Sequence, residues 1–149
     1  LQLARQLDAQ PDVVFVQDRT IYEDAEIFAR TLHDHRVMSA RDCETYMGMY
    51  HAIRDTLPKP DLLIYLRCSL RGIRRRIRSR GRPEEQELDI RYLRTLHRAY
   101  ESWFEGYDLG PTMVIETERL DYLADLVHRL ALTSALEPLL RVQTAQPSL

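Results

Sequence analysis

The feature that most limits how this chain can fold is a set of three short, unbroken apolar runs: Val13-Val14-Phe15-Val16, Leu62-Leu63-Ile64-Tyr65-Leu66 and Met113-Val114-Ile115. A strand with one face in water alternates apolar and polar side chains. A run that is apolar at every position is a strand covered on both faces, the habit of parallel sheets. Each run follows a turn signal: Pro11-Asp12, Pro58-Lys59-Pro60-Asp61 and Gly110-Pro111. Between and after the runs lie stretches of helical spacing, residues 22–33, 39–57, 69–80, 89–105 and 121–136, with Ser39 and Ser69 placed as N-caps. Strand alternating with helix predicts an α/β fold, a parallel sheet with flanking helices. Helix 89–105 carries Ile90, Leu93, Leu96, His97, Tyr100, Trp103 and Phe104 on one stripe, and helix 121–136 carries Leu123, Leu126, Val127 and Leu130. Both stripes read as core faces without chemistry. Residues 1–140 read as one domain and residues 141–149, polar and containing a proline, as a frayed tail.

Bulk properties narrow the function classes. The 21 basic and 23 acidic residues leave a net charge of −2, which gives no overall pull toward nucleic acid or a membrane surface. No run approaches the roughly 18 apolar residues of a membrane span. The opening Leu1-Gln2-Leu3-Ala4-Arg5 lacks the apolar core of a secretory signal. Cys43 and Cys68 fall in different elements, which fits reduced thiols in a cytoplasmic protein rather than a disulfide framework. His33 and His35 stand two apart, a spacing that suits neither a helix face nor a zinc pattern.

Two stretches carry chemistry. The first apolar run exits into Gln17-Asp18-Arg19-Thr20. In open α/β sheets ligands bind at the carboxyl ends of strands. A carboxylate there can hold Mg²⁺ through water, and an adjacent guanidinium can neutralise phosphate. The same residues would also serve as a strand-exit ion pair or turn. The second stretch is the run Arg67, Arg71, Arg74, Arg75, Arg76, Arg78, Arg80 and Arg82, uninterrupted by any acid and followed at once by Glu84 and Glu85. Converging guanidiniums suit phosphate recognition because each offers a planar fork of donors. A solvated basic helix face is the alternative, and an RNA-binding patch a third. Against RNA stands the lack of interleaved aromatic side chains on which bases could stack.

One motif is missing from the 149 residues. A P-loop needs glycine-rich backbone followed by Lys and Ser or Thr. The only lysine is Lys59, between Pro58 and Pro60, and none of Gly48, Gly72, Gly81, Gly106 and Gly110 makes a GxxxxGK pattern.

Taken in order, the motifs resemble one family. The segment from Gln17 through Asp18-Arg19-Thr20 to Phe28 is similar to the DRS/ERS region of deoxynucleoside kinases, nearest the bacterial deoxyadenosine/deoxyguanosine kinases. Lys59 to Arg67 resembles that family's second core strand, Arg76 to Glu85 its lid, Tyr92 to Trp103 the helix after the lid, and Gly106-Tyr107-Asp108-Leu109-Gly110 a feature of its bacterial branch. The resemblance is collinear from about Val13 to about Leu130. It implies a P-loop kinase-type parallel sheet and ATP-dependent phosphorylation of a deoxynucleoside 5′-hydroxyl in nucleotide salvage, with a purine favoured. It further implies that Asp18 is associated with Mg²⁺ through water and that Arg19 lies near the 5′-hydroxyl and the transferred phosphate. Asp24 would help read the base, and Phe28 would pack against the base pocket. Arg76, Arg80 and Arg82 would be lid arginines on the phosphates of ATP, Arg80 also near the adenine, and Glu85 would bond the sugar 3′-hydroxyl. Residues 117–122 would lie near the adenine.

The partners implied are a deoxynucleoside and ATP, with no nucleic acid and no membrane, and a homodimer through helices like residues 22–57. The family's P-loop, its general-base Glu and its first strand have no counterpart here. In the family's sheet that strand sits between the two that Val13–Val16 and Leu62–Leu66 would form. The expectation is therefore an incomplete sheet in an N-terminally truncated, inactive piece of a kinase. A nucleoside monophosphate kinase-like protein and a non-catalytic nucleotide- or RNA-binding remnant are the alternatives.

Overall fold

A computed structural model describes residues 14–120 and 125–141. The chain divides into two compact units, one of residues 17–115 and one formed by the described residues on either side of it. All eight expected site residues lie in the first. Its elements begin with helix α1, which runs Ile21–Glu23, passes through a π-helical stretch Asp24–Ala29 and ends as Arg30–Asp34. Helix α2 (Ala40–Arg54), strand β1 (Leu63–Arg67), helix α3 (Leu70–Arg80), the single turn α4 (Pro83–Gln86) and helix α5 (Ile90–Glu105) follow. Strand β2 (Thr112–Glu116) leads out of the unit, and helix α6 (Leu126–Arg141) belongs to the other.

The two serines cap as their positions require. Ser39 Oγ accepts from the Asp42 amide at 3.1 Å and Ser69 Oγ from the Gly72 amide at 3.0 Å, each satisfying a donor that the first helical turn leaves over. Strands β1 and β2 lie side by side as a parallel two-stranded sheet. The two turn signals that precede them meet: the Leu63 amide donates to the Pro111 carbonyl at 2.9 Å. A Cβ on Gly110 would stand 2.6 Å from the Pro60 carbonyl oxygen, so only glycine lets these turns approach.

The core of the larger unit is small and aromatic. Tyr22, Ala25 and Tyr50 are buried, with Ile21, Met47, Trp103 and Leu109 packed on them. Tyr22 and Tyr50 meet edge to face at 6.4 Å, and the Tyr50 hydroxyl donates to Glu26 Oε1 at 2.6 Å, which satisfies a polar tip that burial would otherwise strand. A second set of contacts ties β1 to α5. Tyr65 stacks on Phe104 at 4.5 Å, its hydroxyl donates to Glu101 Oε1 at 2.9 Å, and Arg67 Nε sits 3.4 Å from Glu101 Oε2. One turn earlier on α5, His97 Nε2–H donates to the Cys68 carbonyl at 3.0 Å.

Two sequence expectations need correction. Val14, Phe15 and Val16 form no strand and are 41%, 36% and 90% exposed; Val13 lies outside the described residues. An apolar run becomes a strand only when a neighbour accepts its backbone ladder. The neighbour expected between this run and β1 has no counterpart among the described elements, and β1 and β2 pair with each other instead. The stripe on α6 is likewise no core face: Leu126, Val127 and Leu130 are exposed. Hydrophobic spacing shows which face of a helix seeks cover, and nothing among the described residues supplies that cover to these three side chains. Leu123 and the first residues of that expected helix, 121–124, lie outside the described residues, as does the tail from 142 onward.

Candidate functional site

The Asp18-Arg19 turn is set by the residues that follow it. The Thr20 amide and hydroxyl both donate to Glu23 Oε2 at 2.6 Å, a reciprocal cap that starts α1 and holds Thr20 extended (φ −133°, ψ 168°). Directly before it, Arg19 takes a left-handed backbone (φ 63°). That conformation costs an L-residue with a long side chain roughly 1–2 kcal/mol. Such residues cluster where a site needs a side chain aimed in a direction ordinary turns do not give. The Arg19 guanidinium lies 4.8 Å from the centroid of the Phe28 ring, within cation–π range.

Phe28 and Asp24 both sit on the π-helical stretch of α1, whose buried residues are Ala25, Ile27 and Ala29. A π-helical turn widens the helix and redirects its side chains, and such turns recur at functional sites. Phe28 meets Tyr100 of α5 edge to face at 6.0 Å. The Tyr100 hydroxyl is pushed up to about 12, first by burial, then by the Glu23 carboxylate; Arg19 opposes the rise, and Asp24 and Asp18 add to it. Asp18, Arg19, Glu23 and Asp24 therefore share one electrostatic neighbourhood around a phenol that stays protonated at neutral pH. Asp18, Arg19 and Asp24 are exposed and Phe28 half-buried, so an edge-to-face Phe28–Tyr100 pair lies beside two carboxylates and a guanidinium open to solvent.

The lid residues form a second group. Helix α3 stops at Gly81, which takes a left-handed φ of 68° and turns the chain into α4. Across that turn, Arg80 Nε and Nη2 donate to Glu85 Oε2 at 2.9 and 2.6 Å, and Arg82 Nη1 lies 3.5 Å from Glu85 Oε1. Gln86 Nε2 donates to the Ile77 carbonyl at 3.0 Å, closing the same turn. Arg76 stands one helical turn before Arg80 on α3. Glu85 thus occupies, as a carboxylate, the place between two guanidiniums that an anionic ligand would take.

The family resemblance pairs Asp18 with Arg19, joins Asp24, Phe28 and Glu85 around the nucleoside, and assigns Arg76, Arg80 and Arg82 to the lid; in the structure Arg19 lies against Phe28, and Glu85 lies against Arg80 and Arg82. Sequence reasoning missed Tyr100, absorbed into the apolar stripe of α5. The available signal was its hydroxyl, which a plain core position would not need. Glu23 was legible too, because Thr20-Ile21-Tyr22-Glu23 spells a capping box. Among the described residues no three His, Cys, Asp or Glu side chains gather as a metal cluster. Asp18 is an exposed carboxylate. That donor set fits a hard cation that keeps most of its water and takes its other ligands from phosphate, which is how Mg²⁺ binds. Residues 117–120 are described, with Thr117 buried; 121 and 122 are not.

Comparison with known proteins agrees across most of the chain. The model of the family described as deoxynucleoside kinase matches residues 2–140. A deoxyadenosine/deoxycytidine kinase of Bacillus subtilis is 41% identical over 113 residues, covering 74% of this chain and 52% of the relative. A deoxyguanosine kinase of Lactobacillus acidophilus is 37% identical over 124 residues, covering 76% and 54%. Among solved structures, a deoxyadenosine kinase from M. mycoides with bound dATP superposes with a TM-score of 0.67 at 29% identity, over 89% of this chain and 67% of that one. The same enzyme with products dCMP and a flexible dCDP bound gives 0.69 over 91% and 67%, at 29% identity. The chain spans about half the length of the curated relatives it matches.

Proposed function

Because this chain belongs to the deoxynucleoside kinase family, we propose that it carries the acceptor and lid elements of a kinase that moves the γ-phosphoryl group of ATP to the 5′-hydroxyl of a deoxynucleoside. The observation that carries this reading is the strained Arg19, stacked on Phe28 beside Asp18. Phosphoryl transfer asks a protein for positioning and charge neutralisation more than for covalent chemistry. Arg19 offers both: a fixed fork of donors for the phosphate, and a side chain braced against the ring that packs on the base.

The other residues have roles that follow from their chemistry. Asp24 accepts from an exocyclic base amine, which favours adenine, guanine and cytosine over thymine, and we take a purine as the preferred base. Arg76, Arg80 and Arg82 hold the phosphates of ATP, and Glu85, released from Arg80 and Arg82, accepts from the sugar 3′-hydroxyl. Asp18 would hold Mg²⁺ through water, where the ion would neutralise charge on the β- and γ-phosphates. The protein works in the cytoplasm on nucleotide salvage.

The 149 residues contain no phosphate-cradling P-loop, so the reading assigns transfer to the whole gene product and not to this chain alone. The test has two steps. Coding DNA upstream of Leu1 is read in frame for GxxxxGK[ST], and the product of that longer frame is assayed with ATP against deoxyadenosine, deoxyguanosine, deoxycytidine and thymidine. An upstream P-loop with transfer to the amino-bearing bases supports the proposal. A start codon at this position, or a longer product that phosphorylates nucleoside monophosphates instead, overturns it.

A homodimer is also proposed. Tyr46, Met49 and Ile53 lie on one face of α2 and are 36%, 65% and 44% exposed, an apolar stripe on one of the two helices that the family resemblance places at an interface.

A further inference from the structure

Helix α3 carries two arginine faces, and only one of them belongs to the lid. At 100° per residue, Arg76 and Arg80 fall on one side of the helix. Arg71, Arg74, Arg75 and Arg78, spaced i, i+3, i+4 and i+7, fall on the opposite side. Among the described residues, these four line one open concavity of about 520 Å³. Leu70, Ile73 and Ile77, the apolar positions of the helix, are not part of it.

The two faces differ electrostatically. The lid arginines Arg80 and Arg82 share one carboxylate, Glu85, which offsets half of their charge. Arg71, Arg74 and Arg78 are exposed and make no side-chain hydrogen bond or ion pair among the described residues. Four like charges within two helical turns repel one another, and like-charge pairs at i, i+4 destabilise an isolated helix. Three guanidiniums left unpaired at that cost form a preset receptor for an anion carrying several charges in a short length. From Arg71 to Arg78 the helix rises about 10 Å, more than one phosphate spans and within reach of a chain of three or four.

We propose that this outer face of α3 binds a short oligophosphate, of the kind found in a nucleoside triphosphate or in tripolyphosphate, at a site separate from the lid. A nucleic acid is the weaker fit. Among the described residues no aromatic side chain stands with the four arginines to stack a base. The proposal does not depend on the kinase reading, since it uses none of the residues assigned to transfer.

The test is calorimetric titration of the 149-residue chain with tripolyphosphate, at low and at physiological salt. Saturable binding that weakens with salt is expected. The triple variant Arg71→Gln, Arg74→Gln, Arg78→Gln is expected to weaken it by at least about tenfold, because several charge-assisted contacts are lost together. The pair Arg80→Gln, Arg82→Gln is expected to retain it. Absence of binding, loss in the lid pair instead of the triple variant, equal binding of sulfate, or tighter binding of a duplex RNA than of tripolyphosphate would each overturn the proposal. A measurement on the unmodified chain stands beside the variants: mass spectrometry after phenylglyoxal treatment, with tripolyphosphate expected to protect Arg71, Arg74 and Arg78. Failure to protect them sinks the idea whether or not the triple variant folds.

Discussion

Arg19 and Tyr100 are the residues on which the reading of the site turns. Arg19 combines a left-handed backbone, a contact with the Phe28 ring and a neighbouring carboxylate. Replacing it with Lys keeps the charge but loses the planar fork and the stack. In a product that also carries a P-loop, Arg19→Lys should lower kcat about a hundredfold with little change in KM, read by steady-state kinetics, because on the proposed function the lost contacts would act on the transferring phosphate. Tyr100 makes a prediction about the chain itself. Its hydroxyl titrates near 12 in the folded chain against 10.0 when exposed. The proton is held more tightly folded than unfolded, so this contribution to stability is intact below pH 10 and is lost as pH rises from 10 toward 12. Burial also raises Tyr22, Tyr50, Tyr65 and Tyr107, so the wild-type loss is shared. Urea unfolding across that range should show a smaller alkaline loss in Tyr100→Phe than in wild type. An identical slope would remove Tyr100 from the site's electrostatics.

At the scale of elements, the turn joining α3 to α4 is held by Glu85. Glu85 pairs with Arg80 and Arg82, and the same three residues are the ones proposed to hold ATP and the sugar. The pairs are largely exposed, with side-chain exposures of 51% and 61% for the two arginines, so their worth to the fold is small. Glu85→Ala should therefore change the thermal midpoint little, by less than about 1 kcal/mol of stability. In the gene product it should raise the KM for the deoxynucleoside. Gly81 should behave in the opposite way. Its φ of 68° admits other residues only under strain, so Gly81→Ala should cost about 1–2 kcal/mol in urea unfolding, with helix α3 fraying from its C-terminal end.

At the scale of the whole molecule, the described residues hold two parallel strands where three apolar runs predicted three. Val14–Val16 remain open, and the exposed stripe of α2 is available to a second copy. Sedimentation of the longer gene product should show a dimer. Met49→Glu, which places a charge on the exposed apolar stripe, should shift it to monomer without unfolding it. A monomeric wild type would remove the dimer from the reading.

What the sequence determined by itself is what depends on local chemistry. Ser39 and Ser69 cap because a hydroxyl before a helix accepts from its free amides. Gly81 ends α3 because it alone enters the left-handed region at no steric cost. The order of helices and the two strands after Pro60 and Gly110 were legible from spacing, and the association of Arg80 and Arg82 with Glu85 was implied by the family resemblance. Tertiary structure decided what depends on a neighbour. Whether Val14–Val16 become a strand rests on a hydrogen-bonding partner that no pattern within the run can supply. Whether Leu126, Val127 and Leu130 are core rests on what covers them. Tyr100 joined the site because α5 packs on α1 where Phe28 projects, and Arg80 gained a carboxylate partner because Glu85 folds back onto its side of α3. Propensity and spacing say which face of an element seeks company; only the packed chain says whether company arrives.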